Sequence, residues 1–483
     1  MTFKHQKTND ILNYFQQINQ IPRESRHEEA ICQWMINWAK QNSFEVKTDK
    51  VQNLLIKIPA SAGYENAPIV IIQGHLDMVC EKTPESNHDF RKDAIKNIVD
   101  GEWLRADKTT LGADNGIAIA MAMAIAMDKN IPHPPLELLF TTDEETGLNG
   151  AAAIASGFFN GRILINIDSE QEGYLTIGCA GGCNTNIALP IEWAKVPNNY
   201  QLITIQAGGM TGGHSGIEIH AERANAIKVL AQILYLIRQQ TEIRLVNFSG
   251  GTAHNAIPRD AKALVFISEN EIDKIQEIVK KAEKSLKAEY QKTDPHLFIK
   301  IENNNESNDQ AITNTEKVID LIIALPHGVA TLSNQNIASL VETSNNLASI
   351  SIAQGNSLKV LTSQRSAVES KLEALTQRIE AIARLSGSTV YSDNRYAAWQ
   401  PKMDSPLLAK SQNIYEKMFN KQATIDVLHA GLECGIIGEK SSDMDMISIG
   451  PTIKYAHSPD ETMHIGTVGK VWDFLLELLK QLK

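Results

Sequence analysis

The sequence predicts an α/β fold in which a discontinuous domain, built on a central, mostly parallel sheet flanked by helices, is interrupted by an inserted α+β domain. Three observations predict it. Apolar runs at 136–141 and 162–167 each end on an acidic motif, which puts polar chemistry at the carboxyl edge of an open sheet. Ile117 to Met127 is apolar on every face and begins directly after Asp114-Asn115-Gly116, as a buried helix would. From about residue 183 to residue 394 no further member of that polar set occurs, and His457 then brings it back.

Taken in order, residues 6–20 and 27–41 carry apolar side chains at helical spacing, with Pro22 as the break between them. Residues 51–58 and 68–73 are rich in Ile and Val and read as strands, as do 136–141 and 162–167 on either side of the next polar motif. The character changes at Gly181-Gly182-Cys183. Beyond it, 202–206, 244–248 and 263–267 read as strands, and 221–239 and 271–291 as amphipathic helices. Two further β–α patterns follow, at 297–302 with 313–325 and at 349–362 with 366–386, and Asn303 to Asp309 is a polar turn inside the first. They suggest two similar halves, although no residue-level repeat supports this. A helix-rich tail runs from about residue 404. The expected boundaries are 1–182 and 395–483 for the discontinuous domain and 183–394 for the insert.

At 483 residues the chain is too long for one ordinary core. With 43% hydrophobic and 21% charged residues it has the composition of a soluble globular protein. A net charge of −11 argues against a nucleic-acid or anionic-membrane partner, which would need a basic face. Residues 1–10 are polar and carry no secretory signal, and the longest apolar stretch, 117–127, is too short to span a bilayer. Five widely spread cysteines fit a reducing cytoplasm better than a disulfide framework. Cys179 and Cys183 read as small core thiols beside a glycine turn and receive no role.

Five segments present metal-ligand side chains where strands meet turns: Gly74-His75-Leu76-Asp77, Gly112-Ala113-Asp114-Asn115-Gly116, Thr142-Asp143-Glu144-Glu145-Thr146-Gly147, Asn166-Ile167-Asp168-Ser169 and Ala456-His457-Ser458-Pro459-Asp460. Two histidines with several carboxylates suit two divalent ions, zinc first among them. Taken alone, His75-x-Asp77 is a weak motif, Asp114 reads as a helix N-cap, and His457 before Ser458-Pro459 reads as structural. Asp77 sits on the same face as His75, where it could fix the imidazole tautomer or be a surface acid. Adjacent Glu144 and Glu145 repel and persist best beside a cation. Five separate structural explanations would be needed at once, so the conjunction points to metal-assisted hydrolysis. With five ligands for two ions one carboxylate should bridge, holding the metals roughly 3.5–4 Å apart, and a spare carboxylate would carry the proton of a metal-bridged hydroxide to the leaving amine.

These motifs resemble those of the di-zinc metallopeptidases related to aminoacylase and carboxypeptidase, which share them in this order. Within that family the chain is most similar to the bacterial aminoacyl-histidine dipeptidases, which are carnosinase-like. The segments Gln73 to Val79, Leu111 to Gly116, Gly250 to Arg259 and Ile449 to Ile453 with His457 to Glu461 carry that likeness, which covers essentially the whole chain. The resemblance implies a catalytic domain with an inserted lid/dimerisation domain. It further implies that Asp114 bridges two zinc ions, with manganese or cobalt as substitutes, that His75 and Asp168 complete one site, and that Glu145 and His457 complete the other. Glu144 would be the general base, Asp77 would orient His75, and the Asp114–Asn115 bond would be cis. His214, in Gly212-Gly213-His214-Ser215-Gly216, would stabilise the oxyanion. Asn255 and Arg365 would hold the substrate carboxylate and Gly431 would line the substrate. Glu433 could face the substrate amine, whereas His254 and Arg259 stay open between structural and functional roles. The implied protein is a cytoplasmic homodimer that hydrolyses dipeptides, Xaa-His and β-Ala-His included, with no nucleic-acid or membrane partner. The alternatives are a relative acting on N-acyl amino acids or other short peptides, and a non-catalytic peptide-binding protein.

Overall fold

Residues 6–304, 308–333, 340–353, 356–441 and 443–483 are described by the structure, a computed structural model. The first five residues and the middle of the expected polar turn, residues 305–307, lie outside them. The chain divides into two units, 1–179 with 399–483, and 180–398.

The first unit is built on a sheet in the order Glu45–Thr48, Leu54–Ile58, Leu136–Thr141, Val70–His75, Ile163–Asn166, Asp445–Ser448, Tyr174–Cys179 and Thr424–Leu428. The four strands from Leu136–Thr141 to Asp445–Ser448 run parallel to one another. Parallel strands are covered on both faces and so read as continuous apolar runs instead of alternating ones. Every residue of Val70–His75 and of Leu136–Thr141 is buried. Helix Ala113–Met127 is buried continuously from Asn115 to Ile125 and packs on both Val70–His75 and helix Gln6–Ile18. Gly112 opens it with φ +69°, a left-handed conformation that favours glycine. Gly74 answers a different need. A Cβ there would lie 2.3 Å from Asn115 Oδ1 and 2.6 Å from the Ala118 Cβ, so only glycine lets the strand end touch the helix start.

The tail is helix-rich, as expected, but it also contributes strands not expected from its sequence. Besides helices Pro406–Phe419, Glu433–Glu439 and Ile465–Gln481, it returns Thr424–Leu428 and Asp445–Ser448 to the sheet. Strands of five and four residues are too short to show a period in the sequence.

The second unit holds a sheet ordered Phe298–Asn303, Tyr200–Gly208, Ala261–Ser268, Ile243–Gly250, Val341–Ala353, Ser357–Ser366, Gly181–Pro190 and Thr389–Tyr396. It contains the same β-α-β-β-α-β pattern twice. One copy uses helices Ala226–Arg238 and Ile272–Glu289, the other Thr315–Ala324 and Glu369–Leu385. Within each copy the first strand lies between the third and the fourth, and the copies abut at Ile243–Gly250 and Val341–Ala353. The segment 349–362, expected as one strand, belongs instead to two paired strands, Val341–Ala353 and Ser357–Ser366. Asn225 caps Ala226–Arg238 by accepting N–H bonds from Ile227 and Lys228, so that helix starts later than its apolar pattern suggests. Among the described residues no helix is long and apolar enough to cross a membrane.

Candidate active site

The parallel strand ends of the first unit bring five side chains together. His75 closes its strand, Glu144 and Glu145 follow Leu136–Thr141, Asp168 follows Ile163–Asn166, and Asp114 occupies the first turn of Ala113–Met127. His457 comes from the loop between Ile453–Lys454 and Thr462–His464, with a left-handed φ of 64°. Asp114 stands between the histidines, with Oδ1 3.0 Å from His75 Nε2 and Oδ2 3.1 Å from His457 Nε2. Farther out, Asp168 Oδ1 is 3.5 Å from His75 Nε2 and Glu145 Oε2 is 3.1 Å from His457 Nε2. Two donor sets therefore share one carboxylate, an oxygen to each. Glu145 Oε1 is buried without a hydrogen-bond partner, an acceptor that a cation would satisfy. Nitrogen and carboxylate donors in this arrangement fit two borderline divalent ions.

Neighbouring groups fix these donors. Asp77 Oδ1 lies 3.3 Å from His75 Nδ1 and accepts the Glu144 N–H at 3.1 Å. Its other oxygen accepts the Glu145 N–H at 3.2 Å and the Ser25 hydroxyl at 2.8 Å. One buried carboxylate thus ties the histidine to the glutamate pair. Around Asp114 the Asp114–Asn115 peptide is cis. Asn115 accepts the His75 N–H at 3.2 Å and donates to the Ile167 carbonyl at 2.6 Å. Glu461 accepts four consecutive amides, from Leu111 to Asp114. The buried Arg23 donates to the carbonyls of Leu76, Asp77 and Gly112, joining the His75 strand end to the Asp114 loop.

The electrostatics follow from burial and from these pairings. Burial pushes Asp114 up, but hydrogen bonds from His457 and His75 outweigh it and hold the carboxyl well below its usual range. Burial likewise lowers the histidines, yet the facing carboxylates win and both are raised. Glu144 is raised well above the usual value by burial and by Glu145, while Glu145 itself rises to about 7 through burial and Asp114. Asp168 is raised by burial. Carboxylates crowded and desolvated in this way are stabilised by a cation, which would draw all of these values back down.

In the second unit, His214 lies on the short strand Gly213–His214, paired with Ala256–Ile257. Its Nδ1 accepts the N–H groups of Gly216 and Ile217 at 3.3 and 3.1 Å, which puts the proton of the neutral ring on Nε2. Asn255 adjoins that pair, and its carbonyl accepts the Ser215 N–H at 2.7 Å. Arg365 is 7% exposed, donates to the Tyr396 hydroxyl at 2.8 Å and has a buried, unpartnered Nε. It is near enough to His254 to add to the lowering that burial imposes on that ring. Arg259 donates to the Met210 carbonyl at 3.2 Å, a structural bond.

Gly431 lies in the first unit, in the loop between Thr424–Leu428 and helix Glu433–Glu439. Glu433 is fully buried; its Oε2 accepts from Gln73 Nε2 and Thr141 Oγ1, while its Oε1 is buried without a hydrogen-bond partner. Sequence reasoning passed over Arg23 and the task of Glu461. Glu461 left one signal, four residues after His457 in the same motif, whereas Arg23 left none. The five cysteines form no disulfide, and Cys179 and Cys183 join no candidate metal cluster among the described residues.

Residues 205–294 match the M20 peptidase dimerisation domain. Over 472 residues, 97% of this chain and 96% of the relative, the sequence is 39% identical to the cytosol non-specific dipeptidase of Escherichia coli (strain K12). The crystal structure of aminoacylhistidine dipeptidase from Vibrio alginolyticus matches with a TM-score of 0.88 at 37% identity, covering 99% of this chain and 97% of that one. Aminopeptidase PepT from Bacillus cereus, with a TM-score of 0.57 at 15% identity over 98% of both chains, shares the fold alone. The chain belongs to the M20 metallopeptidases, in their dipeptidase branch.

Proposed function

We propose that the protein is a cytoplasmic, homodimeric dipeptidase that cleaves Xaa-His dipeptides, β-Ala-His among them, and holds two divalent cations per subunit, zinc foremost. The observation that carries this reading is Asp114, which gives one oxygen to the His75/Asp168 side and the other to the Glu145/His457 side. When bound, two such ions polarise a carbonyl and acidify a water. Manganese or cobalt would suit the same donors.

The chain's own groups then have distinct tasks. Glu144 takes the proton from the attacking water and delivers it to the leaving amine, the task of a carboxylate that stands beside both donor sets and belongs to neither. Asp77 orients His75 and, by holding the Glu144 N–H, keeps the base in register with it. His214 donates from Nε2 to the developing oxyanion. Asn255 and Arg365 take the substrate carboxylate, for which a guanidinium with a spare Nε–H is suited. Gly431 lines the substrate. The insert, 183–394, is assigned as lid and dimerisation domain, supported by its match to the M20 dimerisation domain. Cytoplasmic placement is supported by the name of the Escherichia coli relative and by cysteines without bridges.

Side-by-side hydrolysis of β-Ala-His, of dipeptides lacking histidine and of N-acetyl amino acids tests the substrate class. Faster cleavage of Xaa-His dipeptides is the expected result. A preference for N-acetyl amino acids would overturn the reading.

A further inference from the structure

Beneath the ligand layer, side chains from five strands, one loop and one helix form a single hydrogen-bonded chain. Thr176 Oγ1 is 3.1 Å from Ser169 Oγ, which is 2.9 Å from Ser448 Oγ. The Ser448 hydroxyl donates to Asn166 Oδ1. Asn166 Nδ2 donates to Gln73 Oε1 at 2.5 Å, and Gln73 Nε2 donates to Glu433 Oε2 at 2.5 Å. Thr141 Oγ1 donates to that same oxygen at 2.6 Å. Gln73, Thr141, Asn166, Ser448 and Glu433 are all 0% exposed, so water competes for none of these bonds.

Counting protons fixes the direction of the chain. Ser448 has one hydroxyl proton and gives it to Asn166, so it must accept from Ser169. Ser169, its own proton used, must accept from Thr176. Every bond therefore points toward Glu433. Turning the Gln73 amide over would set its N–H₂ against that of Asn166 and its carbonyl against the Glu433 oxygen that already accepts from Thr141, so the two amides hold one orientation together. In a low-dielectric interior such a chain is worth more than its separate bonds, and leaving one member unpaired is correspondingly costly.

The chain lies directly under one of the two donor sets. Gln73 and His75 are two apart on one strand and share a face, Asn166 precedes Asp168 by two residues, and the sheet register pairs Gln73 with Asn166. Glu145 and His457 are carried instead by turns beyond the strand ends. We propose that Glu433 is a positioning residue that anchors this chain and, through Gln73 and Asn166, sets the separation of His75 and Asp168 and hence the affinity of the cation site those two complete. The inference rests on the two-cation reading above.

The test is zinc binding to metal-free, full-length protein in a chelator-buffered titration, with thermal melting of the same samples. The wild type should bind two equivalents per subunit. Glu433→Met, which leaves Gln73 and Thr141 without their acceptor, should weaken one equivalent roughly 10–100-fold and leave the other within about threefold. Asn166→Ala breaks the chain in the middle and should weaken the same equivalent, which keeps the test decisive should Glu433→Met not fold. Glu433→Gln, whose amide oxygen can still accept both donors, should restore most of the affinity. Wild-type binding of both equivalents in Glu433→Met and Asn166→Ala, or equal weakening of both, overturns the inference alone. Fewer than two equivalents in the wild type overturns the two-cation reading and this inference with it.

Discussion

Glu461 accepts the backbone N–H of Asp114 at 3.3 Å, the last of four consecutive amides that its two oxygens hold. The other three, from Leu111, Gly112 and Ala113, lie at 2.7, 2.9 and 2.8 Å. The bend that carries the shared carboxylate therefore depends on a buried acid from a distant part of the sequence. Glu461→Gln would turn an amide N–H₂ toward two of those donors. A loss of about 2 kcal/mol or more is expected, from bonds to a charged acceptor left unmade. Thermal melting checks this, and zinc content should fall in the same variant.

Gly74→Ala tests the close approach beneath Asn115. The new methyl would meet Asn115 Oδ1 at 2.3 Å, and Asn115 is the residue that bonds both His75 N–H and the Ile167 carbonyl. Overpacking of this kind costs about 1–3 kcal/mol. Denaturant melts should show that loss together with weaker metal retention, whereas Gly63→Ala, with nothing within 4 Å, should not touch metal binding.

The metal-free protein should lose stability as pH rises. Burial raises Glu144 well above its ordinary 4.5, Glu145 to about 7 and Glu433 to about 8. His75 and His457 are raised above 6.5 by the carboxylates that outweigh their burial. All five groups bind protons more tightly folded than unfolded. Their contribution is complete below the unfolded values and drains away as pH climbs through the folded ones. Asp77 and Asp114 are lowered instead, and their contribution is already complete above about pH 5. Melting of metal-free protein should come at least about 4 °C lower at pH 8 than at pH 5.5. Added zinc should remove that difference.

The proposed role of Arg365 in holding the substrate carboxylate bears on substrate length. Arg365→Lys keeps the charge but loses the planar fork, so KM for a dipeptide should rise about tenfold or more with a smaller change in kcat. A C-terminally amidated dipeptide should be a poor substrate for the wild type and no worse for the variant. An equal added penalty on both substrates would remove Arg365 from carboxylate recognition.

How far the site was legible in the sequence follows from what each residue does. His75, Asp114, Glu144, Glu145, Asp168 and His457 were legible as a set, because their conjunction is what metal-assisted hydrolysis would need, whereas Asp114 and His457 taken alone read as structural. The structure brings the five expected ligands within reach of one another. Arg23 and Glu461 were hidden because they bind backbone carbonyls and amides, which every residue offers, so nothing in a partner segment advertises them. Glu433 stood in a motif, but whether it faced a cavity or the interior depended on Gln73 and Thr141, on strands remote from it in sequence. The parallel core strands were readable as apolar runs, while Asp445–Ser448 and Thr424–Leu428 were too short to be. The repeated β–α patterns of the insert suggested two similar halves, but sheet order and the strand pairing within each half are set by long-range contacts, which local periodicity does not encode.

The most direct measurement is metal content and turnover of Glu144→Ala, assayed together on β-Ala-His or another Xaa-His dipeptide. On the proposed assignment Glu144 carries the proton and belongs to neither donor set, so two ions per subunit should remain while kcat falls by at least about 10²–10⁴-fold. Turnover near the wild-type rate with both ions bound would contradict the assignment of Glu144 as the base and, with it, the proposed hydrolysis.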